Sequence, residues 1–502
     1  MSDNIRLRVA PSPTGFPHVG TAFQALFDYV FAKKNNGRFI VRIEDTDQKR
    51  FVPEAEAVIF ESLTWLGLIP DESPIHGGSV GPYRQSERLD TYKKYARELL
   101  DKDHAYYCFC SAERLEEMRK AQEANHQPPM YDRHCRSIPA AEAQKRIEKG
   151  EDAVIRMKMP DNETIIVQDL LRGVVSFDSN LLDDQILMKS DGFPTYHLAV
   201  VVDDHLMEIT HAVRGEEWLP SAPKHVVLYR YFGWKEPKWV HTPILRNADH
   251  SKLSKRHGHT SLYWYRAQGY LPEALLNFLS YLVWSHPENK EIYSLDEMIQ
   301  YFDFTAMRYM APVFDLTKLD WINGNWIRGL SVKELCDRIG VWAIWVKDNS
   351  QEGFEFLSSD GQIVLEWIKK DSEFFGKTVA LAQERLKKIS EIKEAIEFYY
   401  EDALSYDRED LLQGHSVEEV QNVLSKADKM LGALPVGDHD VWDKGIRGLA
   451  DELGWKHKDL FMILRSAITA RKATPPLFDV MEVLGCNTVE KRIQAAIDYV
   501  KK

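Results

Sequence analysis

Two short stretches of this 502-residue chain carry residue types suited to phosphate chemistry. The first is His18-Val19-Gly20-Thr21. It follows a loop in which Pro11, Pro13, Gly15 and Pro17 forbid regular structure, and Val19, Phe23, Leu26, Phe27 and Val30 then recur at helical spacing. A helix start offers unpaired N–H groups and a partial positive charge, Gly20 lets an anion approach the backbone, and His18 can add a hydrogen bond to a phosphate oxygen. The second stretch is K-L-S-K-R, residues 252–256, followed by His257 and Gly258. Lys252 and Lys255, with Arg256 beside them and Asn247, Asp249 and Ser251 before them, suit a loop that closes over a triphosphate. Either stretch alone is weak evidence; the pair in this order carries the argument. A third group is Cys108 and Cys110 with Cys135 after 24 intervening residues. Three thiolates in this grouping suit tetrahedral zinc. Ser137 is a poor fourth ligand, and Tyr131 and His134 are the nearby candidates.

The elements that must position these residues read as follows. Residues 5–9 alternate like a first strand, and residues 39–43 (F-I-V-R-I) like a second, buried one. Glu44, Asp45 and Asp47 follow at its carboxyl end, where open α/β sheets bind ligands. Residues 53–66 and 89–100 have helical patterns, and residues 154–175 alternate like strands. The run Y-H-L-A-V-V-V-D-D, residues 196–204, is continuously apolar until its acids and predicts a central parallel strand entered by Tyr196. Arg214 looks like the opening of a helix, and residues 241–245 like the strand before the lysine loop. Trp321 and Trp326 read as core. From residue 331 onward the pattern is almost wholly helical.

Composition bounds the function. With 44% apolar and 28% charged residues, the chain is an ordinary globular protein of about three to five domains. Its net charge of −13 argues against a general nucleic-acid or DNA binder, so a polyanionic partner must meet local basic patches. No secretory core and no bilayer-length apolar run are present, and five cysteines fit a reducing compartment, so a cytoplasmic protein without a membrane partner is expected.

P-S-P-T-G-F-P-H-V-G-T together with K-L-S-K-R resembles the two nucleotide-binding signatures of class I aminoacyl-tRNA synthetases, in the form used by bacterial glutamyl-tRNA synthetases. R-I-E-D-T-D (residues 42–47), G-P-Y-R-Q-S-E-R (81–88), S-D-G-F-P-T-Y-H-L-A (190–199) and P-V-F-D-L-T-K-L (312–319) look like the same family, and the resemblance covers essentially the whole chain. It implies a multidomain α/β fold. The Rossmann-type parallel-sheet catalytic domain would occupy residues 1–95 and 196–250, interrupted at 96–195 by an inserted α+β domain that grips the tRNA acceptor end. A helical stem-contact domain with the K-L-S-K-R loop would span 251–330, and an all-α anticodon-binding region 331–502. Glutaminyl enzymes instead carry β-barrels in that tail.

The resemblance also implies site residues. Ala10, Ser12, Glu44, Tyr196, Arg8 and Arg214 would bind glutamate, Glu44 taking the amino group, Arg8 the side-chain carboxylate and Arg214 the α-carboxylate, with the two arginines open to exchange. His18, Gly20, Thr21, Ile244, Leu245 and Lys255 would bind ATP, with Mg²⁺ on its phosphates, and His18, Lys252 and Lys255 would act in catalysis. Other members keep C-x-C with Y-x-x-x-C, which favours Cys108, Cys110, Tyr131 and Cys135 for zinc. Arg385 aligns with an arginine that reads the anticodon. The implied activity is ATP-dependent attachment of L-glutamate to tRNA(Glu), with tRNA(Gln) a further candidate partner, by a monomer. The rival readings are a glutaminyl enzyme, which the helical tail disfavours, and a non-catalytic tRNA-binding paralogue, which the two intact signatures disfavour.

Overall fold

The computed structural model describes residues 4–47, 49–253, 260–349, 355–434 and 438–501. The chain forms two compact units, Met1–Trp264 with Pro272–Lys318, and Tyr265–Leu271 with Leu319–Lys502.

In the first unit, β1 (Arg6–Val9) leads into α1 (Val19–Lys34) and back to β2 (Arg38–Val41). β2 lies parallel to β1, Arg6 opposite Arg38 and Val9 opposite Val41, as a strand-helix-strand crossover requires. α1 exists because Val19, Phe23, Leu26, Phe27 and Val30 share a buried face. Helices α2 (Ala55–Trp65) and α3 (Leu89–Asp101) follow. Next come β3 (Ala105–Cys108), α4 (Ala112–Ala124), α5 (Ala140–Glu148) and β4 (Val154–Met157). β5 (Thr164–Asp169), β6 (Gly173–Asp178) and β7 (Ile186–Met188) complete this stretch. β3, β4 and β7 form an antiparallel sheet that carries Cys108 at its edge. The chain then makes α6 (Tyr196–Leu206), β8 (His211–Gly215), α7 (Ala222–Phe232) and β9 (Lys238–Thr242). β8 and β9 run parallel, and β5 and β6 extend their sheet.

Two expectations are overturned here. Residues 196–204 are helical, within α6, although their pattern predicts a strand. A short apolar run buried on every side gives no periodicity, so a core helix and a core strand read alike; Leu198 to Val202 are all buried. Arg214 does not open a helix but stands inside β8, whose residues are buried through Arg214. The central α/β core therefore has its ladders in β1–β2 and β8–β9, with α6 packed among α3, α7 and β7.

Among the described residues the second unit contains no strand. Its helices begin where the sequence supplies caps: Ser331 with Glu334 and Ser416 with Glu419 form reciprocal capping boxes at the starts of Val332–Asp348 and Val417–Ala433. Trp321 departs from its expected core position and is 43% exposed. Its helix, Leu316–Gly329, buries Leu319, Ile322, Asn323 and Ile327, and residue 321 falls off that face. Arg385 is exposed in the short turn Gln383–Arg385.

Candidate active site

The site is built at the carboxyl ends of the parallel strands. His18 caps α1: its Nδ1 accepts a hydrogen bond from the Gly20 N–H at 2.9 Å. Nδ1 is therefore the bare nitrogen, and the ring proton sits on Nε2. A Cβ at position 20 would meet His18 Nδ1 at 3.1 Å, so this tight cap favours glycine.

His18, Gly20 and Thr21 line a cavity of about 310 Å³ together with Thr242, Ile244, Leu245 and Lys252. The strand β9 delivers Thr242, and a short antiparallel turn beyond it pairs Arg246 with Lys252, which brings Lys252 back over the opening. Lys252 Nζ rests 3.1 Å from Glu217 Oε1, largely in solvent. An exposed pair of this kind is weak and exchangeable, so the lysine can transfer to a phosphate. Lys255 lies outside the described residues.

A second cavity of about 640 Å³ is lined by Arg8, Ala10, Ser12, Glu44, Tyr196 and Arg214. All six residues that the sequence analysis assigns to glutamate therefore meet around one space. Gln24 and Trp218 line both cavities, so the two share a wall. The Trp218 ring stands 4.5 Å from that of Tyr196.

The two arginines are held differently. Arg8 Nε and Nη2 donate to Asp204 at 2.9 and 3.0 Å, and Asp204 also accepts from Arg42 Nη1 at 2.7 Å. Arg42 in turn donates to Glu44 at 3.0 Å. Burial pushes the Asp204 pKa up, but Arg8 and Arg42 outweigh it and the carboxyl is held below its usual range. Burial raises the Glu44 pKa despite Arg42, which suits a carboxylate awaiting a further cation. Among the described residues Arg214 meets no carboxylate: Nε donates to His241 Nε2 at 3.1 Å, and Nη1 contacts His225 Nδ1 at 2.9 Å and Tyr196 Oη at 3.2 Å. Its Nη2 is buried and has no hydrogen-bond partner among the described residues.

Residues 4–321 match the family model for the catalytic domain of class I tRNA synthetases (E and Q), and residues 359–497 match an anticodon binding domain. A glutamate–tRNA ligase of Gloeobacter violaceus is 44% identical over 97% of this chain and 94% of its own length. One of Pseudomonas putida (strain GB-1) is 43% identical over 99% and 96%. The chain belongs to the class I tRNA synthetases of the E and Q type. Its structure is similar to the crystal structure of a glutamate tRNA ligase from Elizabethkingia meningosepticum in complex with its amino acid, with a TM-score of 0.86, 35% identity and coverage of 99% of this chain and 100% of that one.

The three cysteines of residues 108–135 fold into one cluster. The Sγ atoms of Cys108, Cys110 and Cys135 lie within 4.8 Å of one another, and Tyr131 Oη stands 3.3 Å from Cys108 Sγ and 3.4 Å from Cys110 Sγ. Zinc–sulfur bonds of about 2.3 Å in a tetrahedron put ligand sulfurs about 3.8 Å apart, so three thiols and one hydroxyl fit that ion. Among the described residues no histidine or carboxylate joins the group.

Sequence reasoning missed Gln24, Trp218, Asp204 and the histidines behind Arg214. Gln24 is a lone polar residue in an apolar stretch of α1, and its Nε2 donates to Val213 O at 2.7 Å. That interruption was the available signal. His225 and His241 had none, since only the folded chain brings them to Arg214.

Proposed function

We propose that this protein is a glutamyl-tRNA synthetase, a ligase that activates L-glutamate with ATP and transfers it to the 3′ end of tRNA(Glu). What carries the reading is the shared wall of Gln24 and Trp218 between an arginine-floored cavity and a helix-start cavity. Glutamate in the first and ATP in the second bring a carboxylate to the α-phosphate across that wall. The carboxylate oxygen attacks the α-phosphorus, pyrophosphate leaves, and glutamyl-adenylate forms; a terminal ribose hydroxyl of tRNA then attacks the activated carbonyl and AMP leaves. No protein nucleophile is needed. Positioning and fixed positive charge supply the rate: Arg8, Arg214, Glu44 and Tyr196 orient glutamate, while His18, the α1 start, Lys252 and Lys255 stabilise the phosphates, to which Mg²⁺ comes bound with ATP. The inserted residues 96–195 take the acceptor end, residues 251–330 the stem, and Arg385 the anticodon. Burial, and then the neighbouring charge of Arg385, lower the Arg465 pKa, so the two guanidiniums form a local basic spot on an acidic protein. The enzyme works as a cytoplasmic monomer.

Pyrophosphate exchange with glutamate or glutamine, each with and without tRNA, tests the assignment. Exchange is expected with glutamate when tRNA is present. Exchange with glutamine alone would refute the amino acid, and exchange with neither would favour a binding module. In the same assay His18→Ala should cut kcat by about 100- to 1,000-fold, the usual cost of one preorganised donor to developing charge, with KM values little changed. A kcat within threefold of wild type would remove His18 from the mechanism.

Cys108, Cys110, Cys135 and Tyr131 would hold zinc, which would tie β3 to the following turn and play no part in adenylate formation. Metal analysis of the purified protein should give about one zinc per chain, lost in Cys135→Ser. A wild-type protein free of zinc after purification without chelators would discard the site.

A further inference from the structure

Arg214 stands in a chain of hydrogen bonds that runs through the core on both sides of it. On one side, Asp169 Oδ2 lies 2.6 Å from His241 Nδ1, and His241 Nε2 lies 3.1 Å from Arg214 Nε. On the other, Arg214 Nη1 lies 2.9 Å from His225 Nδ1, and His225 Nε2 lies 3.0 Å from His197 Nδ1. An arginine side chain only donates. His241 Nε2 and His225 Nδ1 must therefore both be bare, which puts the His241 proton on Nδ1, facing Asp169, and the His225 proton on Nε2, facing His197. Each histidine has one allowed tautomer, and a second proton on either would set N–H against N–H. Burial first, and for His225 the Arg214 charge next, lower the pKa of both rings, in keeping with neutral imidazoles.

This arrangement sets Arg214 apart from its neighbours. Arg6 pairs with Glu72, Arg8 and Arg42 with Asp204, and Arg88 with Asp203, all buried. Among the described residues no carboxylate lies within ion-pair reach of Arg214. Neutral rings hold it, the face of Trp239 lies 5.0 Å away, and Nη2 has no hydrogen-bond partner among the described residues. A buried carboxylate in the place of either ring would hold the guanidinium as firmly and cancel its charge.

We propose that His225 and His241 are positioning residues that fix Arg214 by uncharged acceptors, so that its whole positive charge is reserved for a carboxylate of the amino acid substrate. Asp169 and His197 act behind them by fixing the tautomers. The inference rests on the reading in which Arg214 binds glutamate.

The test compares His225→Gln, which keeps an uncharged acceptor, with His225→Glu, which places a carboxylate against Arg214, in the full-length enzyme with tRNA present. His225→Glu should raise the KM for glutamate at least about 100-fold and leave the KM for ATP within threefold, while His225→Gln stays within about tenfold for glutamate. Equal losses in both variants, or a glutamate KM in His225→Glu within threefold of wild type, would overturn the proposal. Arg214→Gln separates the two levels. If it leaves the glutamate KM unchanged, the substrate reading itself fails; if it raises that KM and His225→Glu does not, only the positioning role fails. Should His225→Glu not fold, ¹⁵N NMR of histidine-labelled wild-type enzyme decides: neutral His225 protonated at Nε2 and neutral His241 protonated at Nδ1 between pH 6 and 8 support the proposal, and an imidazolium or the opposite tautomer at either overturns it.

Discussion

Arg214→Gln is expected to raise the KM for glutamate by about 100-fold or more and to leave the protein as stable as wild type, or slightly more so. The binding loss follows from removing one member of a desolvated charge pair, which costs about 2–5 kcal/mol, at about tenfold for each 1.4 kcal/mol. The stability half of the expectation is what separates this residue from an ordinary buried arginine. No carboxylate is left uncompensated when Arg214 is removed, because its protein partners are His241, His225 and Tyr196. The buried and unpartnered Nη2 is itself a cost of the empty enzyme, which the substituted amide reduces. Stability traded for a waiting charge is what a binding site requires. Parallel measurement of KM for glutamate, KM for ATP and thermal unfolding checks both halves. A variant that unfolds several degrees early with its KM values intact would place Arg214 among structural residues.

How far the sequence revealed this site depended on whether a residue's partners lie near it in the chain. His18, Gly20 and Thr21 were legible because a proline-broken loop and a helical face adjoin them, and the structure puts them at the start of α1 as expected. Lys252 was legible from its crowded neighbours, and it lines the same cavity. β1 followed from its alternation, β2 from a short buried apolar run after a helix stop, and the all-helical tail from a period of 3.6. α6 was misread because Leu198 to Val202 are buried all round, which erases either period. That error hid a second fact. In a helix, Asp203 and Asp204 turn inward to receive Arg42, Arg88 and Arg8, a pairing that the strand reading does not supply. Arg214 was likewise recognised by its motif but placed in the wrong element, and only the fold brings His225 and His241 to it, 11 and 27 residues away. Trp321 shows the converse case, a large apolar residue whose type says core and whose helical phase says surface.

Asp204→Asn should destabilise the first unit by about 3–5 kcal/mol at neutral pH. Three hydrogen bonds from two guanidiniums converge on this carboxylate, at 2.7 to 3.0 Å, and Arg8, Arg42 and Asp204 are all nearly or wholly buried. An amide keeps the shape but not the charge, and one of its two ends must turn an N–H₂ toward an arginine that can only donate. Two cations would then share a core with one fewer anion. The pH dependence carries the sign. Because the Asp204 pKa is lowered in the fold, its contribution is complete above the unfolded value near 3.9 and fades as pH falls through the lower folded value. The gap between wild type and Asp204→Asn should therefore be constant from pH 7 to about pH 5 and narrow only in stronger acid. Asp28, whose two carboxylate oxygens are buried without a hydrogen-bond partner among the described residues, works in the opposite direction: burial raises its pKa, so it costs stability as pH rises and the group ionises. Chemical denaturation of wild type and Asp204→Asn across this range tests the argument. A difference under 1 kcal/mol at pH 7 would mean that Arg8 and Arg42 find other counter-charge, and that the floor of the larger cavity is not held by this acid.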